Sequence, residues 1–195
     1  MNKNDKEKND IIPCRFHTRE EWRKWLQENF EKRSEVWFVF PLKASGEKVV
    51  SYNDAVEEAL CFGWIDSTIR SYDEKHKIQR FTPRNPKSTY SQSNKERLRW
   101  LSENGMIHPS VMESVSRVLK EPFVFPEDII EEIRKDETAW KNYQQFSESY
   151  KRIRIAFIDA GRERPEEFEK RLNHFLEKTR KGKIIQGYGG IDKYY

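Results

Sequence analysis

Cysteine is nearly absent from this chain. Only Cys14 and Cys61 occur among its 195 residues. They form no C-x-x-C pair, which excludes a disulfide framework and a structural zinc site of ordinary ligand spacing. Free thiols in a reducing compartment are the simpler reading. Glycine is scarce as well, at eight residues. None builds the Gly-rich loop that cradles nucleotide phosphates, so nucleotide hydrolysis has no support. The four histidines, His17, His76, His108 and His174, are scattered, and none pairs at metal-ligand spacing. No apolar run approaches the length of a membrane span. The opening MNKNDKEKND lacks the apolar stretch of a secretory signal. The expectation is a cytoplasmic protein with no membrane insertion, no metal and no cofactor.

An excess of one charge sign is missing too. There are 37 basic and 33 acidic residues, for a net charge of +4. The two signs are interspersed and leave no dense basic stripe, which argues against nucleic acid as the partner. Hydrophobic content is modest, at 35% of the chain, below the usual range for a globular domain. Aromatic rings compensate. Six Trp, eight Tyr and twelve Phe supply large burial area per residue and imply a folded protein with a ring-rich core.

Residues 1–10 read as a disordered tail. Thr18 and Glu21 have capping-box spacing, and Trp22, Trp25, Leu26 and Phe30 follow at helical intervals. EVWFVFPLK reads as a strand that Pro41 ends. SGEK then reads as a turn and VVSY as a second strand, which together would form a hairpin. Ser51 or Asn53 can cap a helix running to about Cys61, with Gly63 as its stop. IQRFTPR is a further strand. Ser93 with Glu96 is a second capping-box match, opening the helix NKERLRWLSEN, which Gly105 ends. From residue 109 onward the pattern is helical. Pro109, Pro126 and Pro165 stand where first-turn prolines stand. The apolar stripes run through Ile129/Ile130/Ile133, Trp140/Tyr143/Phe146, Tyr150/Ile153/Phe157 and Phe168/Leu172/Phe175. Strands before residue 85 and helices after it predict an α+β fold: an N-terminal domain with a small sheet over 11–120, a helical module over 121–182, and a flexible tail over 183–195.

Two stretches carry a resemblance. EALCFGWIDS supplies Glu58 to Asp66, and QRFTPRNPKSTYSQSNKERL supplies Phe81, Thr82, Pro83, Arg84, Pro86, Ser88, Ser91, Asn94 and Arg97. With the helical stretch AWKNYQQFSESYKRIRIAFIDAG, they resemble the YdeI/OmpD-associated (OmdA) family of bacteriocin-protection proteins over residues 15–182. Ser67 departs from a family glycine, Tyr90 from a tryptophan and Gly161 from a lysine. The resemblance implies a link to bacteriocin or envelope-stress tolerance and brings no catalytic residues.

Asp66 ends the most apolar run of a chain in which 36% of residues are charged. It reads either as a structural carboxylate or turn cap, or as a strand-end carboxylate sharing a cleft with Arg80 or Arg84. The following segment places Arg84, Lys87, Ser88, Ser91 and Asn94 just before a helix start, where free N–H groups favour anions. Its alternative is a solvated, capped loop. Glu57 and Glu58 are sequence neighbours, expected on different helix faces and a poor acid pair. Cys61 reads as an inert core thiol. Basic residues beside aromatics in NKERLRWL and SYKRIRIAF share their helices with acids and read as solvated faces. The resulting expectation is a protein binding a small anionic ligand or a protein partner, through Asp66, Arg80, Arg84, Lys87, Ser88, Ser91 and Asn94. A nucleic-acid accessory role and an enzyme of unknown reaction stand as alternatives.

Overall fold

The computed structural model describes residues 12–42, 46–187 and 191–195; the expected tail over 1–10 lies outside them. The chain divides into two compact units, Met1–Thr89 with Leu101–Ser114, and Tyr90–Trp100 with Val115–Tyr195. The elements in order are α1 (Arg19–Asn29), β1 (Val36–Pro41), α2 (Tyr52–Cys61), β2 (Trp64–Ser71), β3 (His76–Pro83), α3 (Gln92–Glu103), α4 (Pro109–Leu119), α5 (Glu127–Arg134), α6 (Glu137–Gln145), α7 (Glu148–Asp159), α8 (Pro165–Arg180) and a 3-10 turn at Asp192–Tyr194. This is the expected α+β class, with a three-stranded sheet followed by helices. Residues 90–100 group with the C-terminal unit, and α3 and α4 each begin in one unit and end in the other.

In the N-terminal unit, α1 begins where its capping residues require. The Thr18 hydroxyl accepts the Glu21 N–H at 3.2 Å, and the Glu21 carboxylate accepts the His17 N–H at 2.8 Å. Trp22 and Leu26 form the buried stripe of α1. The Trp22 indole donates to the Ala55 carbonyl at 3.0 Å, so burial of this ring leaves no polar group unpaired. Around it sit Phe16, Phe38 and Phe81, with ring centroids 4.9, 5.4 and 5.4 Å away.

The sheet is antiparallel with order β1-β3-β2. Val36 to Phe40 are all buried, so β1 has apolar neighbours on both faces and reads as an uninterrupted apolar run. Phe38 joins the core shared with the helices, while Trp37 and Val39 cluster with Ile78. The expected hairpin between β1 and VVSY does not form. The Val50 N–H bonds the Phe16 carbonyl at 3.4 Å, the Ser51 hydroxyl caps α2 through the Asp54 N–H, and Tyr52 is already helical. The cap claims these residues, and β1 pairs with β3 instead. The other edge of β1 meets Cys14, which exchanges backbone bonds of 2.7 and 2.9 Å with Trp37 and Val39.

Gly63 ends α2 at φ +71°, in the left-handed region where a side chain is strained. A Cβ there would also come within 3.1 Å of a Val111 methyl. The turn delivers Trp64 to the start of β2, with its indole on the Phe30 carbonyl at 3.0 Å.

The C-terminal unit is helical. Asp136 and Ser147 cap α6 and α7 through their side chains, and Pro165 occupies the first turn of α8. Ile129, Ile133, Ala139, Tyr143, Tyr150, Ile155, Ile158, Leu172 and Phe175 form the core. On α7 it takes Tyr150 from the expected stripe, but Ile155 and Ile158 in place of Phe157 and of Ile153, which packs with Ile191 and Tyr194. Gly161 permits close backbone approach rather than an unusual φ: an added Cβ would lie 3.2 Å from the Phe168 Cα. The α3 cap is Ser91, whose hydroxyl accepts the Asn94 N–H at 3.3 Å, and not the expected Ser93. Glu96, buried on α3, accepts two bonds from Arg152 at 2.6 and 2.9 Å and one from Arg99 at 2.7 Å. In the segment expected to be a flexible tail, Ile191 and Tyr194 are buried.

Gly63→Ala is expected to lower stability by about 1–2 kcal/mol, the left-handed penalty for a side chain, read as a reduced urea midpoint. For Glu96, burial opposes ionisation, but the bonds from Arg152, Arg99 and Gln92 outweigh it and hold the carboxyl below its usual range. Its contribution is therefore present above the unfolded value of about 4.3 and lost as pH falls through the lower folded value. Glu96→Gln is expected to cost on the order of 3 kcal/mol at neutral pH, as for removal of one partner of a buried ion pair. Paired urea melts should show the gap between wild type and variant narrowing on acidification; a gap independent of pH contradicts the assignment.

Candidate functional site

Asp66, Arg80 and Arg84, all in the N-terminal unit, each engage a different partner. Asp66 lies opposite Phe81 in the β2–β3 register, whereas Arg80 lies opposite Trp37. Alternation along a strand puts neighbours on opposite faces, so Asp66 and Arg80 face away from each other. The Asp66 carboxylate instead accepts the Tyr52 hydroxyl at 2.5 Å. Arg80 pairs with Glu35 at 2.5 Å. Arg84, beyond the end of β3, turns its guanidinium onto the carbonyls of Ser88 and Thr89. The expected pairing of Asp66 with an arginine is thereby replaced by a phenol contact.

The loop after β3 is wired to itself. The Lys87 N–H donates to the Asn85 side chain at 2.9 Å, and the Ser88 hydroxyl donates to the Asn85 carbonyl at 2.8 Å. Asp66, Arg80, Arg84, Lys87 and Ser88 belong to the N-terminal unit, Ser91 and Asn94 to the other. Ser91 serves as the helix cap, and the Asn94 side chain accepts from Arg97 at 3.0 Å.

Sequence reasoning missed a charged cluster between α1 and α2. Glu57 and Glu58 are 0% and 1% exposed. Arg19 reaches both, at 3.0 and 2.5 Å, and also Asp54 at 2.9 Å. Arg23 bonds Glu58 at 2.7 Å and the Met106 carbonyl at 2.9 Å. One forked guanidinium spans two adjacent carboxylates, which is why neighbouring glutamates serve together here. The spacing Arg19/Arg23 against Asp54/Glu58 was the available signal, since both pairs are one helical turn apart. Burial first, then the Glu58 charge, push the Cys61 thiol up to about 12. It is a protonated, unreactive core group at neutral pH. Glu58→Gln is expected to destabilise by about 3–5 kcal/mol, because two arginines lose a buried counter-charge. A urea midpoint within error of wild type contradicts a structural role for the cluster.

The C-terminal unit holds a cavity of about 320 Å³. Arg154, Phe157 and Ile158 line it from α7, Glu167 to Phe175 from α8, and Ile185 to Gly187 from the following segment. Its wall at Ile185 is fixed by backbone capture: the Ile185 N–H donates to the Tyr150 hydroxyl at 3.0 Å, and Arg154 donates to the Ile185 carbonyl. Arg154 also bonds the Tyr195 hydroxyl at 2.5 Å. Burial pushes that phenol up to about 12, so it stays protonated. Arg171 lies 4.0 Å over the Phe157 ring, bonds the Phe157 carbonyl at 2.7 Å and pairs with Glu167 at 2.8 Å. The Arg171 bond holds the Glu167 carboxyl below its usual range. Lys170 and His174, one turn apart on α8 and exposed at the cavity, make no hydrogen bond or ion pair among the described residues.

Among the described residues no group of His, Cys, Asp and Glu could hold a metal ion, and no helix is long and apolar enough to cross a membrane. No curated protein and no solved structure matches the chain. Residues 14–114, which include the Glu58–Asp66 and Phe81–Arg97 motifs, match the family described as a domain of unknown function (DUF8412). Residues 122–182 match the family described as Bacteriocin-protection, YdeI or OmpD-Associated (OmdA). The first match spans more than half of the chain and the second covers α5 to α8, so the protein belongs to the DUF8412 family and carries an OmdA domain in its helical half.

Proposed function

We propose that this protein is a cytoplasmic binding protein whose helical unit takes up a small organic anion, in the protective setting that the OmdA description names. The carrying observation is the cavity. Phe157, Ile158, Phe175 and Ile185 give it an apolar floor, while three cations, Arg154, Lys170 and Arg171, oppose the single carboxylate of Glu167. A concave apolar site with a few convergent polar groups is what small-molecule sites look like. Its volume is about twice that of an apolar cavity of roughly 150 Å³ known to admit benzene. Two of its charged or titratable groups, Lys170 and His174, retain unused donors. In the segment after β3, Arg84 and the Ser88 hydroxyl are turned onto the loop's own carbonyls and Ser91 caps α3. The two free cysteines fit a reducing compartment.

An amide NMR titration of the full chain with benzoate tests this reading. Shifts are expected at Phe157, Ile158, Phe175 and Ile185, with a dissociation constant on the order of 0.1 mM, or about −5.5 kcal/mol. Added salt should weaken binding, because Lys170 is exposed and screening acts over about 8 Å at physiological ionic strength. Shifts at residues 85–95 with none around the cavity would return the site to the loop after β3.

A further inference from the structure

The groups around this cavity distinguish one kind of anion from another. Arg171 has already committed its fork, with Nε on Glu167 and Nη1 on the Phe157 carbonyl. Arg154 bonds the Ile185 carbonyl and the Tyr195 hydroxyl. Both guanidiniums are thus already drawn onto protein partners, Arg154 through Nη2 and Arg171 through Nε and Nη1, which weakens the bidentate mode that is strongest for phosphate. A cradle of free helix N–H groups is the other common phosphate device. Here the first turn of α8 already carries Glu166 and Glu167. The last turn of α7, which presents Phe157 and Ile158, is a carbonyl end with partial negative charge. Both features disfavour a dianion.

Lys170 and His174 remain. An ammonium and an imidazole one helical turn apart offer separate point donors, which match the two oxygens of one carboxylate. The apolar floor requires an apolar body on the same molecule, since a bare anion would leave Phe157, Phe175 and Ile185 against water. We infer that the cavity selects monocarboxylates with a ring or short alkyl body, the carboxylate seated at Lys170 and His174 and the body between Phe157, Ile158, Phe175 and Ile185. This rests on the cavity being an organic-anion site, and it names the class of ligand.

The test compares four probes on the full chain by amide NMR: 3-phenylpropionate, phenyl phosphate, 3-phenylpropanol and acetate. The expected result is that 3-phenylpropionate shifts Phe157, Ile158, Phe175 and Ile185 with a dissociation constant about tenfold below those of the other three, a gap of about 1.4 kcal/mol. Lys170→Gln combined with His174→Gln should raise that constant about tenfold, the same increment. Both positions are exposed, and an unchanged spectrum away from the cavity verifies the fold. Phenyl phosphate binding as tightly as 3-phenylpropionate overturns the ligand class and leaves the anion site standing. Acetate binding as tightly overturns the role of the apolar floor. Wild-type affinity in the double variant overturns the carboxylate seat. If none of the probes moves the cavity amides, this inference and the binding reading fall together.

Discussion

Two arginines on α1 hold two glutamates of α2 where water does not reach, and the N-terminal unit is organised around that grip. Ala55 to Cys61 are buried without interruption. A helix in that position has no solvent side, so any charge on it must carry its partner inward. Arg19 and Arg23 do this from the neighbouring helix, and the same helix sends Trp22 to the Ala55 carbonyl. Charge pairing and ring burial are thus two halves of one helix–helix contact. The position of Gly63 and Trp64, and with them the start of β2, follows from where α2 is held.

Much of this was legible in the residues. The α1 cap, the stop at Gly63, the strand in IQRFTPR and the helical character after residue 109 rest on local chemistry, which acts within a few residues. What the sequence hid depends on partners far along the chain. VVSY has strand-like residues, but Ser51 and Tyr52 are drawn into α2 by its cap, and β1 finds β3 some forty residues away. Asp66 and Arg80 are both near the hairpin, yet strand alternation turns them to opposite faces. Glu57 and Glu58 looked divergent because helix geometry was considered for one helix alone; a forked side chain from a second helix overrides it.

The cavity residues were the least visible. Phe157 and Phe175 read as core stripe, His174 stood only among the scattered histidines, and nothing in the sequence singled out Lys170. Their association comes from the packing of α7 against α8 and from the return of Ile185 onto Tyr150 and Arg154. Gly161 contributes by letting the α8 backbone come close to the end of α7. A glycine read as a departure from a family lysine is thus explained by crowding at the helix junction.

The sheet's two margins differ in how they would meet another molecule. The outer side of β1 is already bonded to the Cys14 segment, and β2, last in the strand order, breaks register between Asp66 and Ile69. Unpaired strand margins are templates for edge-to-edge aggregation, and a bulge is one of the devices that blunts them. A bridge at Cys14 on one margin and a bulge on the other shorten the ladders that a second chain could extend.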